Sequence, residues 1–178
     1  RMANIAGRHS PAHAAEFRNA ATHIHRQIVE NAWNPGLGAF VATYGGNDLD
    51  ASLLEMAGLR FLPQDNQRIQ GTLNAIWKNL SQDGWLLRYR TDDGFGQPTV
   101  AFILCSFWLV EALAAVGRIG EAREVMNHVL SASSPLGLLS EDCDTVTRRM
   151  WGNFPQAYSH VGLIHAAFSA SPRWADIL

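Results

Sequence analysis

The sequence predicts an all-α protein built from three helical hairpins, and two patterns support this prediction. Six segments carry apolar residues at helical spacing, and they alternate between segments with a polar face and segments that are apolar on nearly all sides. Long connections precede the three apolar segments, at 32–47, 82–98 and 133–153, whereas short ones follow them. This alternation is typical of hairpins arranged with a ring of buried inner helices inside a ring of amphipathic outer helices.

The first hairpin is predicted from an outer helix and a short inner helix. Apolar residues such as Phe17 recur at helical spacing, so residues 11–31 predict an amphipathic helix with one buried face. The inner helix is predicted over 48–59, where the side chain of Asn47 or Asp48 can cap the free amides.

The second hairpin has the clearest pattern. An amphipathic outer helix is predicted over 65–81, with Asp65 or Asn66 as its cap. Nearly every residue over 99–116 is apolar or small, which predicts an inner helix that is buried all round and ends at Gly117.

The third hairpin completes the series. Residues 119–132 return to an amphipathic pattern and predict an outer helix. The last inner helix is predicted over 154–170, with its start near Pro155, because proline suits the first turn of a helix. We expect the three long connections to emerge at one end of the ring, which is where we place the functional site.

The composition narrows the classes of partner and the cellular compartment. Lys and Arg number 14 against 16 Asp and Glu, a net charge of −2, so nucleic acid is not an expected partner. No apolar stretch approaches the roughly 20 residues of a membrane-spanning helix, and no membrane partner is expected. Cys105 and Cys143 lack metal-ligand spacing, which favours a reduced, cytoplasmic protein and leaves a disulfide between them open. No cofactor is predicted.

The connection over 133–153 carries the strongest candidates for chemistry. Three of its residues are carboxylates, Glu141, Asp142 and Asp144. A solvated acidic turn is the simple interpretation, but the residues that follow favour a sugar site. Flat apolar faces that stack on sugar rings and polar groups that bind hydroxyls occur there together: Trp151, Phe154, Tyr158, Asn153, Gln156 and His160.

The connection over 82–98 carries a second candidate group. Arg88 can donate several hydrogen bonds in a fixed fork, and Asp92 or Asp93 can accept hydrogen bonds from sugar hydroxyls. A surface pair of an arginine and an aspartate is the alternative interpretation.

Several motifs in the same order resemble glycoside hydrolase family 15, the glucoamylases, glucodextranases and some bacterial trehalases. The resemblance runs from about residue 22 to 170 and is to the C-terminal half of the catalytic domain. The motifs are Leu-Arg-Tyr before Asp-Asp-Gly, the apolar helix from Phe102 with its Gly-Arg stop, Gly-Leu-Leu-Ser-Glu-Asp from Gly137, and Gly-Asn-Phe-Pro-Gln-Ala-Tyr-Ser-His from Gly152.

The resemblance implies a fold, a reaction and residue roles. It implies about half of an (α/α)6 toroid, with residues 1–178 as one domain and residues 1–10 as the remnant of a preceding inner helix. It implies an inverting, exo-acting hydrolase of α-linked glucosides, with an oligosaccharide or disaccharide as substrate. Glu141 matches the general base of the family, and Arg88 with Tyr89 matches its substrate-binding pair.

The sequence departs from the family pattern at two places. No Trp is followed by Glu, so the motif that carries the general acid is absent from these residues. Gln97 and Pro98 stand where many members have an acidic residue before the apolar helix, which leaves the substrate specificity open. We therefore expect the chain alone to be inactive, and to meet either the missing N-terminal half or a second copy of itself.

Two other functions fit the helical pattern. One is a scaffold or carbohydrate-binding module whose loops recognise a partner without catalysis. The other is a different (α/α)6 sugar enzyme, such as an epimerase, which would depend on histidines. Only His160 and His165 are placed near the predicted pocket, which weakens the epimerase interpretation.

Overall fold

The computed structural model describes residues 1–94 and 96–172, and it is predominantly helical. Phe95, in the connection 82–98, and the last six residues of the predicted domain lie outside the described residues. The helices are α1 (Met2–His9), α2 (Pro11–Asn31), a 3-10 turn (Ala51–Leu54) that leads into α3 (Glu55–Gly58), α4 (Gln67–Leu80), α5 (Ile103–Ala115), α6 (Ile119–Leu130) and α7 (Ala157–Ala170).

Short strands lie in and beside the long connections. They are β1 (Trp33–Asn34), β2 (Ala39–Phe40), β3 (Ser81–Gln82), β4 (Trp85–Leu86), β5 (Val100–Phe102), β6 (Asp142–Asp144) and β7 (Met150–Trp151). β1–β2 and β3–β4 form antiparallel hairpins, and β5–β6–β7 form an antiparallel sheet. This sheet ties the start of the second inner helix to the loop 133–153.

Helix α5 lies at the centre of the fold, as its apolar sequence predicts. It packs mainly against α6 and α7, and also against the 3-10 turn and α3. Its buried residues occupy all sides of the helix: Ile103, Cys105, Ser106, Phe107, Leu109, Val110, Ala112 and Leu113. The predicted helix over 99–116 begins later than expected because Val100 to Phe102 pair with β6 instead.

Helix α4 agrees closely with its prediction. Asn66 caps it, since the Asn66 side chain accepts a hydrogen bond from the Arg68 N–H at 2.9 Å. A stripe at helical spacing, which includes Ile69, Leu73 and Ile76, is buried against the core. The amphipathic pattern therefore identified both an outer helix and its inward face.

Two other inner helices differ from their predictions at the N-terminus. Over 48–59, the cap is Asp50, whose carboxylate accepts from the Ser52 N–H at 2.7 Å, and the first turn is 3-10. The last helix begins at Ala157 and not near Pro155, because Gln156 keeps an extended backbone and its N–H donates to the Leu139 carbonyl at 2.9 Å.

The predicted buried face of α2 is wrong for the part of the chain that the structure describes. None of its residues is buried, and Ile24 is 56% exposed. The reason is that α2 packs mainly on α1 and makes few contacts with the other described helices. Helix α7 also exposes large apolar residues, including Ile164 and Phe168.

At the end of the fold opposite the long connections, one arginine bonds to residues of two helices. Between α5 and α6, Gly117 turns the chain at a φ of 84°. Arg118 Nε and Nη2 each donate to a carboxylate oxygen of Glu121 at 2.6 Å, and Nη1 donates to Asn74 Oδ1 of α4 at 2.7 Å. The guanidinium also lies 5.2 Å from the centre of the Trp77 ring. One side chain thus joins α4 to α6.

Candidate active site

The segment 139–141 lies against the N-termini of two inner helices. The Ile103 N–H, at the start of α5, donates to the Glu141 carbonyl at 3.0 Å. At the start of α7, the buried Ser159 hydroxyl donates to the Ser140 carbonyl at 2.6 Å. The main chain of Glu141 is therefore fixed from two sides by rigid elements.

The carboxylate of Glu141 is hydrogen-bonded on one oxygen. Its Oε2 accepts from the main-chain N–H of Asn153 at 3.1 Å and from Asn153 Nδ2 at 2.7 Å. Among the described residues, none donates to Oε1. One oxygen is thus held while the other remains available to a ligand or a water molecule.

Gly152 allows the carboxylate to come this close. A Cβ at this position would lie 2.9 Å from both Cβ and Oε2 of Glu141, and 3.3 Å from Asp142 Oδ2. The φ of Gly152 is 72°, which side-chain-bearing residues rarely adopt. Both the space and the backbone conformation therefore require glycine.

Asp142 is a second carboxylate beside Glu141, on strand β6. It pairs across the sheet with Phe102 on one side and with Trp151 on the other. Burial, and then the negative charge of Glu141, raise the pKa of Asp142 to about 6. Asp142 therefore keeps its proton to a higher pH than an ordinary aspartate does.

Arg88, in the connection 82–98, lies beside the N-terminus of the 3-10 turn that leads into α3. Its Nε donates to Asp50 Oδ1 at 2.7 Å, and its guanidinium lies 5.6 Å from the centre of the Trp108 ring of α5. The Ala51 N–H donates to the Arg88 carbonyl at 2.8 Å, so the main chain is anchored there too.

Arg88 lies at the same end of the fold as the connection 133–153, which we call the acidic loop. Burial raises the pKa of the Cys105 thiol in the first turn of α5; the charge of Arg88 opposes this effect, and those of Asp50 and Asp142 add to it. All of these charges thus surround the start of α5, which also contacts Glu141. Arg88 and Glu141 thus lie at the same end of α5, and the opening of Arg88, Glu141 and His160 toward a common pocket stays a prediction.

The other candidates in the connection 82–98 are exposed and make local contacts. The Tyr89 hydroxyl donates to Asp93 Oδ2 at 2.7 Å, which raises the pKa of Tyr89. Asp92 Oδ1 accepts from the N–H groups of Gly94 and Gly96, so this carboxylate shapes its own loop. Contact of these side chains with a substrate stays a prediction.

All three predicted aromatic residues are exposed: Trp151 is 48% exposed, Phe154 51% and Tyr158 65%. The guanidinium of Arg149 lies 4.9 Å from the centre of the Trp151 ring. Flat exposed rings near a carboxylate are suited to stacking on sugars.

The His160 ring on α7 contacts main-chain groups at the start of its own helix and in the connection 133–153. Its Nδ1 lies 2.7 Å from the Gln156 carbonyl, and its Nε2 lies 3.4 Å from the Leu139 N. A carbonyl requires a donor and an N–H requires an acceptor, which assigns the proton to Nδ1. His160 thus bridges α7 and the acidic loop, and its predicted contact with a substrate stays a prediction.

His165 lies further along α7, beside two glutamates of the inner helices. Its Nδ1 is 4.0 Å from Glu111 Oε2. Burial raises the pKa of Glu111 and of Glu55, and the positive form of His165 opposes the increase in both. This histidine is therefore associated with the inner-helix carboxylates.

Sequence reasoning missed Asp50 and Trp108 as parts of this end of the fold. Asp50 precedes an apolar run and is a good helix cap, which was the available signal, but two other capping residues stand immediately upstream. Trp108 is one apolar residue among many in α5, and nothing in the pattern marks it as the partner of Arg88.

Two further expectations from the sequence concern a disulfide and a membrane-spanning helix. Cys105 and Cys143 are both buried and free, so they do not form the disulfide that the sequence left open. No helix within residues 1–94 and 96–172 is long and apolar enough to cross a membrane.

The arrangement of inner and outer helices with an acidic loop at one end is the helical-hairpin fold of solved glycosidases. A structure described as a wild-type glycosidase superposes with a TM-score of 0.78 at 23% identity, over 91% of this chain and 46% of that chain. The described helices form about half of an (α/α)6 toroid.

The family follows from the sequence itself. Residues 1–168 match the model of glycosyl hydrolases family 15, and the chain belongs to this family of glycoside hydrolases. A trehalase of Mycobacterium tuberculosis is 42% identical over 157 residues, which cover 86% of this chain and 23% of the relative. A trehalase of Mycolicibacterium smegmatis is 40% identical over 93% of this chain and 25% of its own length. The chain thus spans about a quarter of these curated relatives.

Proposed function

We propose that this chain forms the general-base half of the active site of an inverting, exo-acting α-glucoside hydrolase. The observation that carries the proposal is the carboxylate of Glu141, which is fixed by Asn153 at Oε2 and open at Oε1. It lies at the loop end of the inner helices, together with Arg88 and the exposed ring of Trp151.

The proposed reaction uses Glu141 in its ionised form. A water molecule bound to Oε1 attacks the anomeric carbon of the glucosyl unit, and Oε1 accepts the proton that the water loses. On the opposite face of the sugar, a carboxylic acid donates a proton to the glycosidic oxygen as the bond to carbon breaks. In inverting enzymes the two carboxyl groups are about 6.5 to 9.5 Å apart, which leaves room for the water.

The proposed substrate is a disaccharide or short oligosaccharide with α-linked glucose, and trehalose is the first to test. The curated relatives named trehalase support this choice. A glycosidase variant with the same fold has been solved in complex with glucose. We assign substrate binding to the residues predicted from the sequence: Arg88, Tyr89, Asp92, Asp93, Trp151, Tyr158 and His160.

We further propose that the general acid is supplied from outside this chain. The sequence contains no Trp-Glu motif. The exposed apolar residues of α2 and α7 provide the surface on which the remaining half of a toroid would pack. A second copy of this chain is the other occupant that would cover them. The free thiols support a cytoplasmic location for the assembled protein.

The stereochemistry of the product tests the reaction. The full-length polypeptide that contains this chain should invert the anomeric carbon that water attacks, as followed by proton NMR. Trehalose should give equal initial amounts of β-glucose and α-glucose, because the leaving glucose keeps its α configuration. Initial release of α-glucose alone would contradict inversion. A protein that binds sugars but does not hydrolyse them would favour the binding-module alternative.

The isolated chain tests the division between acid and base. We expect it to release no glucose from maltose, isomaltose or trehalose, because one carboxylate cannot act on both faces of the sugar. Glucose release that the Glu141→Gln substitution abolishes would place an acid within the chain, with Asp92, Asp93 and Asp142 as the first candidates.

The oligomeric state tests the proposed surface. We expect sedimentation of the isolated chain to show self-association, whereas the full-length polypeptide should not associate through α2 and α7. A monodisperse monomer of the isolated chain, about 20 kDa, would contradict this part of the proposal.

A further inference from the structure

Three hydrogen bonds join Asn153 to Glu141. The Glu141 N–H donates to the Asn153 carbonyl at 2.9 Å. In return, the Asn153 N–H and side-chain Nδ2 donate to Glu141 Oε2 at 3.1 and 2.7 Å. The shortest of these bonds is therefore the one made by the Asn153 side chain to the carboxylate.

We propose that Asn153 is a positioning residue that selects Oε1 of Glu141 as the oxygen that accepts the proton of water. This inference rests on the proposed function, because it assumes that Glu141 is the general base. It adds a role for Asn153 that differs from the hydroxyl binding predicted from the sequence.

The geometry restricts the carboxylate in rotation. With the main-chain N–H alone, Oε1 and Oε2 can exchange by a half-turn of the carboxylate group. The side-chain Nδ2 adds a second donor on the same oxygen, so the pair defines which oxygen is held. The ionised Oε2 has no hydrogen to donate, which requires that Nδ2, and not Oδ1, faces it.

Both donors of Asn153 are suited to a carboxylate acceptor, because an N–H that donates to a charged oxygen makes a strong hydrogen bond. The contacts also depend on Gly152, because a Cβ there would meet Glu141 Oε2 at 2.9 Å. Asn153 and Gly152 together therefore determine how Oε2 of Glu141 is held in this crowded loop.

The test uses the full-length polypeptide with the Asn153→Ala substitution. We expect kcat to fall about tenfold, since a hydrogen bond to a charged group is lost, with KM nearly unchanged. We also expect the acidic limb of kcat/KM to move to higher pH by about one unit, because the carboxylate loses a donor. The Asn153→Asp substitution keeps the shape but adds a like charge, so the limb should move further. If the Asn153→Ala variant does not fold, the pH profile of the Asn153→Asp variant provides the test.

Asn79→Ala is the matched control. The Asn79 side chain donates to the Ala75 carbonyl at the same 2.7 Å, on the outer helix α4. It should leave kcat and the pH profile unchanged, and thermal unfolding of all variants separates loss of fold from loss of activity.

The outcomes distinguish the two proposals. Full activity in the Glu141→Gln variant would overturn the proposed function. An inactive Glu141→Gln variant, together with an unmoved acidic limb in both Asn153 variants, would overturn the positioning role alone. A lower unfolding temperature without a pH shift would mean that Asn153 is only structural, which also contradicts the inference.

Discussion

The two loops that meet at the candidate site are held in different ways. The acidic loop is part of the β5–β6–β7 sheet, and its main chain is bonded to the first turns of α5 and α7. The loop after Arg88 is anchored by that residue, and beyond it the side chains of Tyr89 and Asp92 bond within the loop.

The difference matches the two tasks that we propose for these loops. A base must stay within a fraction of an ångström of the reacting water, so its loop is fixed by rigid elements. Groups that hold sugar hydroxyls tolerate more freedom, and loops with local contacts supply them. Substitutions in the two loops should therefore affect different kinetic constants.

The largest effect is expected for Glu141→Gln in the full-length polypeptide. The amide keeps the shape but cannot accept the proton of water, so kcat should fall by about 10² to 10⁴ with substrate binding nearly intact. Steady-state kinetics and calorimetry with glucose measure the two quantities. Glu124→Gln, on the exposed face of α6, is the control. A loss confined to KM would contradict the role of general base.

Arg88→Ala should affect binding. Losing the guanidinium removes the hydrogen bond to Asp50 and the contact with Trp108, and we expect KM to rise about tenfold or more. Arg90→Ala is the control from the same loop, because Arg90 donates to the carbonyls of Asn79 and Ser81. Equal increases in KM for both variants would mean that the loop, and not Arg88, is responsible.

Asp142→Asn should change how stability depends on pH. The pKa of Asp142 is about 6 in the folded protein, above its ordinary value of 3.8. The folded state thus keeps this proton while the unfolded state releases it, so the free energy of unfolding falls as the pH rises from about 4 to 6. The substitution should remove that decrease.

Asp144→Asn, on the same strand as Asp142, should change the pH dependence of stability in the opposite direction. Hydrogen bonds from the Thr147 and Val146 N–H groups lower the pKa of Asp144, so its contribution is present above its ordinary pKa and is lost as the pH falls through the lowered value. Urea unfolding at pH 4 and pH 7 measures both variants. The same pH dependence in the two would show that Asp142 is not in the environment described.

The smallest effect is expected for Tyr89→Phe. The hydroxyl is exposed and bonds to Asp93, so its loss should raise KM less than about fivefold. Steady-state kinetics with the preferred glucoside measures it. A change as large as that of Arg88→Ala would mean that Tyr89 is fixed as firmly as the arginine.

The sequence predicted the elements whose pattern is long and the residues whose motif is specific. Helices α4 and α5 follow from apolar spacing over 12 residues or more. The sheet that carries Asp142 was missed, because strands of two or three residues show no period and β5 pairs with a strand some 40 residues away. Periodicity also identified the apolar stripe of α2 but not what covers it, since a pattern shows which face is apolar and not its partner.

The roles within the site follow a similar division. Residue types singled out Glu141 and Arg88 as candidates, but the bonds that hold them come from residues distant in sequence, such as Asp50 for Arg88. The conformation of Gly152 and its closeness to Glu141 depend on tertiary structure, and composition carries no information about them.

Because Arg118 bonds to residues of both α4 and α6, the two ends of the fold should differ in how well they tolerate substitutions and insertions. At the end that contains Arg118, a turn of few residues and one guanidinium connect α4, α5 and α6. An insertion there would separate helices that the core requires together. The opposite end carries long connections whose outer parts bond locally, so residues can be exchanged there with little loss of stability. Variation aimed at new sugar specificities is therefore best directed to residues 89–97, with the Arg118 turn left unaltered.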